Sequence, residues 1–124
     1  MKKLTRQILL VDDDPDIGKM MKTILEYDGY SVDVTERGES TESLIRNQQY
    51  DVLIMDMLLS GMNGAEICAR IKEDQTLRKI PILMVSAHPN AKEICLSAGA
   101  DDFISKPFDM DELLAKVSLL VSAA

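Results

Sequence analysis

The sequence predicts an α/β fold in which a five-stranded parallel sheet is doubly wound, with helices on both faces in three layers. Two features of the 124 residues carry this expectation. Short runs that are apolar at consecutive positions alternate strictly with segments of helical period, as strands covered on both faces alternate with their covering helices. The links between them are short, which suits parallel strands joined by helical crossovers. They leave a single domain over residues 1–124, with no linker, repeat or low-complexity stretch.

The first strand is the apolar run Ile8–Val11. A helix over Pro15–Asp28 then puts Ile17, Met20, Met21, Ile24 and Leu25 on one stripe, with Asp14 as N-cap, Pro15 at the first helical position and Gly29 as the stop. Ser31–Thr35 alternates Val32 and Val34 with polar neighbours, the pattern of an edge strand with one wetter face. A second helix is expected over Glu39–Asn47 and a third strand over Val52–Met55. Asn63 caps a helix over Gly64–Glu73. Ile82–Val85 makes the fourth strand, Ala91–Ala98 a helix closed by Gly99, and Phe103–Ile104 a weaker fifth strand. The last helix, Met110–Val121, is opened by Asp109 with Glu112 three residues on, a carboxylate variant of the capping box.

A formal net charge of -7 opposes binding to nucleic acid or to anionic lipid, both of which are polyanions. The start Met1-Lys2-Lys3 runs into Thr5, Arg6 and Gln7, and no run approaches the roughly 20 apolar residues of a membrane span. A soluble, unexported, cytoplasmic protein is expected. The two cysteines, Cys68 and Cys95, fall on apolar helix faces without a metal-binding spacing, so they read as buried free thiols in a reducing compartment.

In sheets of this kind function gathers at the carboxyl ends of the strands. Strand one ends in Asp12-Asp13-Asp14, strand three in Asp56, strand four in Ser86-Ala87 and strand five in Ser105-Lys106-Pro107. Taken singly, each has an ordinary reading: the Asp triplet as a solvated turn ending in a helix cap, Asp56 as a loop cap, Ser86 and Lys106 as surface residues. Their joint occurrence, acid, acid, hydroxyl, lysine, points to chemistry, with Asp14 kept as a cap. Carboxylates converging there repel by up to ~4 kcal/mol per pair at 4 Å and an effective dielectric of 20. A hard divalent cation relieves this best, and Mg²⁺ typically takes one or two carboxylates, keeps waters and shares phosphate oxygens. With a phosphoryl donor present, Asp56 is the candidate nucleophile, Lys106 a second positive charge and Ser86 a hydroxyl donor to a phosphoryl oxygen.

On these stretches the chain resembles the receiver domains of two-component response regulators over essentially its whole length. They are Ile8-Leu-Leu-Val-Asp-Asp-Asp-Pro-Asp-Ile17, Tyr50-Asp-Val-Leu-Ile-Met-Asp56, Gly61-Met-Asn-Gly64, Pro81-Ile-Leu-Met-Val-Ser-Ala87, Gly99-Ala-Asp-Asp-Phe103 and Lys106-Pro-Phe108. The resemblance implies a flavodoxin-like (βα)₅ fold of strand order 2-1-3-4-5, an order borrowed from that family of folds. It implies Asp56 as phosphoacceptor and Asp13 as a direct ligand of Mg²⁺, for which Mn²⁺ can substitute. Asp12 would act through water, with Asp56 and the Leu58 carbonyl completing the protein ligands. Lys106 grips the phosphoryl group and precedes a cis bond to Pro107, backbone N–H groups of Leu58 and Ala87 bind phosphoryl oxygens, and Ser86 and Phe103 form the switch pair.

The implied function is a non-enzymatic, phosphorylation-activated switch. It takes its phosphoryl group from a sensor histidine kinase or phosphotransfer protein and repacks the face of the fourth helix, fifth strand and fifth helix for an output partner or domain. A phosphorylation-dependent homodimer is among the partners the resemblance allows. Leu58 and His88 occupy positions that in the family tune water access and hence the lifetime of the phosphorylated state. Ser60 stands where the family often has proline, which predicts a loop over Met57–Asn63 less constrained in the unfolded state and in the folded one. Two other readings fail on particular residues. An aspartate-nucleophile phosphatase needs a second acid two residues after the first, where this chain has Leu58. A nucleotide- or flavin-binding domain needs a glycine- or hydroxyl-rich phosphate loop after strand one, where three aspartates would repel the anion.

Overall fold

Successive residues of a strand face opposite ways, so strands apolar at every position need a helical layer on each side. The computed structural model, which describes residues 5–123, meets that need. The Met1-Lys2-Lys3 start and the outermost bounds of the expected 1–124 domain lie outside the described residues. In chain order the elements are β1 (Gln7–Val11), α1 (Pro15–Tyr27), β2 (Ser31–Thr35), a 3₁₀ turn (Gly38–Ser40), α2 (Thr41–Asn47), β3 (Val52–Asp56), β4 (Leu58–Leu59), β5 (Met62–Asn63), α3 (Gly64–Glu73), β6 (Ile82–Ser86), α4 (Ala91–Ser97), β7 (Asp102–Ser105) and α5 (Met110–Ala123).

The long strands form one sheet in the order β2-β1-β3-β6-β7, all neighbours parallel. Setting aside the small antiparallel pair β4-β5, this is the expected flavodoxin-like order 2-1-3-4-5. Alternation divides the core in two. Leu9, Val11, Leu53, Met55, Met84 and Phe103 face α3 and α4, packing on Ile67, Cys68, Ile71, Ala91 and Cys95. Ile8, Leu10, Val52, Ile54, Leu83, Val85 and Ile104 face α1 and α5, packing on Met21, Leu25, Leu113, Val117 and Val121. Burying a side chain of this size stabilises the fold by about 1.5–3 kcal/mol, and the layers exist to collect that term. On edge strand β2, Val32 and Val34 share one face; Val32 is buried but Val34 is left exposed, short of the expected alternation, because the helix residue opposite it is Gly18, which has no side chain to cover it.

The helix signals hold in detail. The Asp14 side chain accepts from the N–H groups of Asp16 and Ile17, and Asn63 accepts from Ala65 N–H. Gly29 and Gly99 stand past α1 and α4 with φ of 101° each, the left-handed conformation that stops a helix most cheaply at glycine. At α5, by contrast, the Asp109 backbone carbonyl accepts from Leu113 N–H, and no capping box between Asp109 and Glu112 is formed among the described residues. The second helix begins as a 3₁₀ turn at Gly38, ahead of the expected Glu39. Cys68 and Cys95 are buried free thiols, each pushed up to about 11 by burial, so neither is a ready thiolate.

Candidate functional site

Three strand ends are stiffened by ladder bonds that continue past the last strand residue. Asp12 N–H donates to the Thr35 carbonyl at 3.1 Å, Met57 N–H to the Val85 carbonyl at 2.9 Å, and Lys106 N–H to the Ser86 carbonyl at 3.0 Å. Asp12, Asp56, Ser86 and Lys106 are therefore set by the sheet itself. Asp56 pairs with Val85 and Ser86 with Ser105 across the parallel register. Asp12, Asp56 and Ser86 are buried, at 2%, 8% and 2% exposure, which makes their polar partners obligatory.

Those partners are as follows. Lys106 Nζ lies 2.7 Å from Asp56 Oδ2 and 3.6 Å from Asp12 Oδ2, so one ammonium is shared by two buried carboxylates. Asp56 Oδ1 accepts from Leu58 N–H at 3.0 Å, and Asp12 Oδ1 from Asp14 N–H at 2.9 Å. Burial pushes the Asp12 carboxyl above its ordinary value, opposed by the Asp14 N–H and by Lys106. Burial alone would lower the Lys106 ammonium, but the bond and charge of Asp56, with Asp12 behind it, hold it above its ordinary value. Both directions follow from one fact: two acids and one base share a poorly solvated volume.

Asp13 is placed differently. Its Oδ2 accepts from both the backbone N–H of Ser60, at 2.6 Å, and the Ser60 hydroxyl, at 2.5 Å. The hydroxyl bond is the main cause of an Asp13 carboxyl held below its ordinary value. The expected convergence of three acids is thus resolved into a pair, Asp12 and Asp56, bracketing Lys106, and a third acid tied to the loop after β3. In the folded protein Met57–Asn63 forms the β4-β5 hairpin, with Leu58 opposite Asn63 and Leu59 opposite Met62, and is fastened to Asp13 by Ser60, so the missing proline does not leave this loop without partners there. A two-plus-two-residue hairpin has too few positions to show a period, which is why sequence reading misses it.

Gly64 shows how closely this loop returns to the acceptor. A Cβ at Gly64 would lie 2.4 Å from the Asp56 carbonyl oxygen and 3.1 Å from Met57 Cα, and Gly64 N–H donates to the Met57 carbonyl at 2.7 Å. Only a residue without a side chain fits there.

On the other flank, Ser86 Oγ accepts from His88 N–H at 3.1 Å, and His88 Nδ1 accepts from Asn90 N–H at 3.1 Å. Ser86 and Ala87 lead directly into this β6-α4 loop. Phe103 is buried at 6% exposure in the core cluster that includes Ala91 and Cys95 of α4. Leu58 is exposed at 53%, beside the acceptor. The Lys106–Pro107 bond is cis, as expected. Next to Lys106 lies an apolar hollow of about 430 Å³, lined by Ile17, Met20, Ala87, Lys106, Pro107 and Phe108.

The donor set suits Mg²⁺ in one of its habits. Among the described residues no three acidic, histidine or cysteine side chains are gathered closely enough to enclose a metal, so an all-protein cage is not built. The oxygens of Asp12 and Asp56, which share Lys106, and of Asp13, next in the chain to Asp12, are hard donors at the strand ends. They suit an ion that takes one or two carboxylates and keeps waters and phosphate oxygens for its remaining positions. No helix among the described residues is long and apolar enough to cross a membrane.

Comparison with known proteins adds the following. A family model described as response regulator receiver domain matches residues 8–118. The response regulator ArlR of Staphylococcus haemolyticus is 35% identical over 112 residues, covering 89% of this chain and 50% of that protein. The chain thus spans about half the length of that curated relative. Among solved structures, the signal receiver domain of a signal transduction histidine kinase from Syntrophus aciditrophicus superposes with a TM-score of 0.89 at 31% identity, covering 97% of this chain and 92% of that one. The receiver domain of a sensor histidine kinase from Pseudomonas aeruginosa, crystallised with a magnesium ion coordinated in its active site cleft, gives 0.88 at 28% identity, covering 96% and 99%.

Proposed function

The chain belongs to the response regulator receiver domain family, and from that premise we propose that it is a phosphorylation-activated switch whose acceptor is Asp56. The observation that carries this reading is the buried Asp56 carboxylate held between Lys106 Nζ at 2.7 Å and Leu58 N–H at 3.0 Å. An oxygen so placed is fixed in direction, and the same ammonium that neutralises it in the resting state can follow the charge onto a transferring phosphoryl group. The donor is the phosphohistidine of a sensor histidine kinase or phosphotransfer protein. An Asp56 oxygen attacks phosphorus, the N–P bond breaks, and its electron pair returns to the imidazole of the donor. Nothing is oxidised or reduced.

Asp13, Asp12 through water, Asp56 and the Leu58 carbonyl would hold Mg²⁺ or Mn²⁺, which supplies charge neutralisation for the phosphoryl oxygens. Lys106, the N–H groups of Leu58 and Ala87, and the Ser86 hydroxyl bind those oxygens. Leu58 and His88 flank the acceptor and set how water reaches it, and so how long the acyl phosphate lasts. The output is the face made by α4, β7 and α5, read by a partner, an attached domain or a second copy. A cytoplasmic setting fits a kinase-driven switch.

The test is direct. Acetyl phosphate with Mg²⁺ should add one phosphoryl group to the wild-type chain and none to Asp56→Asn, measured by intact mass spectrometry. An equal mass gain in both proteins would remove Asp56 from the role.

A further inference from the structure

Resting on the reading of Asp13 as a metal ligand, we propose that Ser60 is a latch on that ligand, competing with Mg²⁺ for Asp13 and so lowering the affinity of the site. Two donors from one residue converge on a single oxygen, Asp13 Oδ2, at 2.6 Å and 2.5 Å. Both are charge-assisted bonds, the stronger class of hydrogen bond. They do for Asp13 what Lys106 does for Asp12 and Asp56, giving a carboxylate partners within the protein.

A carboxylate stabilised in this way is a weaker donor to a cation. The two donors occupy lone-pair directions of Oδ2 that a cation would otherwise share. The latch is also mechanical. Ser60 sits at the tip of the hairpin that carries Leu58, whose carbonyl is the other loop ligand, so engaging Asp13 and Leu58 on one ion requires the hairpin and the β1-α1 loop to adjust together. Ser60 is therefore a positioning residue acting on metal affinity through Asp13. A proline at this position would supply neither donor.

The alternative sign has a physical basis too. A hydrogen bond to a ligating carboxylate often orients it for the metal, and its loss then costs about 10–100-fold in affinity. The two roles predict opposite results. As a latch, Ser60→Ala binds Mg²⁺ about fivefold more tightly by calorimetric titration, the value of one net hydrogen bond. Ser60→Thr, which keeps the hydroxyl, stays near wild type. In metal-free buffer Ser60→Ala unfolds at lower denaturant than wild type, and in saturating Mg²⁺ the two midpoints converge. A residue that only stabilised the loop would lower both midpoints alike and leave affinity unchanged. Unchanged or weaker Mg²⁺ binding by Ser60→Ala overturns the latch while leaving the metal reading intact, provided wild type binds and Asp13→Asn does not. A wild-type protein that binds no Mg²⁺, or an Asp13→Asn that binds as well as wild type, overturns both.

Discussion

Lys106 Nζ stands 2.7 Å from Asp56 and 3.6 Å from Asp12, a single ammonium between two buried carboxylates that begin fifty and ninety-four residues away in the chain. Removing that ammonium leaves two buried acids facing each other. Breaking a buried pair from one side typically costs about 3–5 kcal/mol, because the abandoned charge has nothing to replace its partner. Lys106→Met should therefore destabilise the metal-free fold by about 3 kcal/mol in urea denaturation. Added Mg²⁺ should restore part of the loss. A melt indistinguishable from wild type would mean that the acids are relieved some other way.

Gly64 has no room to become alanine. With the added Cβ 2.4 Å from the Asp56 carbonyl oxygen, the backbone must shift, since neither atom belongs to a flexible side chain. Gly64→Ala is expected to cost about 2–3 kcal/mol, in the range of overpacked cores, and to slow phosphorylation by acetyl phosphate because the carbonyl displaced belongs to the acceptor residue. Normal stability together with a normal rate of mass gain would show that the loop yields more readily than its packing suggests.

Much of this was legible beforehand, and the reasons are local. Asp14, Asn63, Gly29 and Gly99 act through backbone chemistry within a few residues, so spacing alone places them. Asp56, Ser86 and Lys106 were legible because a parallel sheet carries the ends of its strands to one edge. What escaped the sequence depends on contacts distant in the chain. The Ser60 to Asp13 bonds span forty-seven residues, and no pattern in the chain announces them. Phe103 is one of two apolar residues on β7, and its position in the core relative to α4 is settled by packing. Asp109 and Glu112 matched a capping pattern that the α5 geometry does not use.

Millimolar Mg²⁺ should stabilise the unphosphorylated fold, since the ion meets the assembled carboxylates only in the native state. At tenfold above its dissociation constant the gain is ~1.4 kcal/mol, visible as a rise in the thermal midpoint. Asp13→Asn should lose most of this gain. Asp14→Asn should keep it, because asparagine caps a helix about as well as aspartate. A midpoint indifferent to Mg²⁺ counts against a metal at these residues.

Away from the site, Asp74 offers a pH test. The Arg46 guanidinium hydrogen-bonds its carboxylate, and that bond, with N–H bonds from Thr76 and Leu77, holds Asp74 below its ordinary value. A folded-state value below the unfolded one means that the contribution is present above the unfolded value, near pH 4, and is lost as pH falls through the folded one. Carboxyl NMR titration should show Asp74 titrating low in wild type and moving up in Arg46→Gln. No movement would show that the backbone donors alone set it.

The output depends on what Ser86 gives up. Its hydroxyl now accepts from His88 N–H at 3.1 Å, which ties the end of β6 to the loop leading into α4. An acyl phosphate on Asp56 puts charged acceptor oxygens near that hydroxyl, and a charge-assisted bond outcompetes one between neutral groups. As the hydroxyl turns toward the phosphoryl group, the His88 N–H loses its partner and the loop is free to shift. That shift reaches Ala91 and Cys95 of α4, which share a buried core cluster with Phe103 of β7, so a repacking of that ring would carry it on into β7. Beryllofluoride on Asp56, which mimics the phosphoryl group, should therefore shift amide NMR signals across residues 87–98 and on into β7 and α5 in wild type. Ser86→Ala lacks the oxygen that makes either bond, so its shifts should stay near Asp56 even though the acceptor remains able to take the group. Shifts confined to the acceptor loops in wild type would remove this route, and so would shifts that persist undiminished across α4 and α5 in Ser86→Ala.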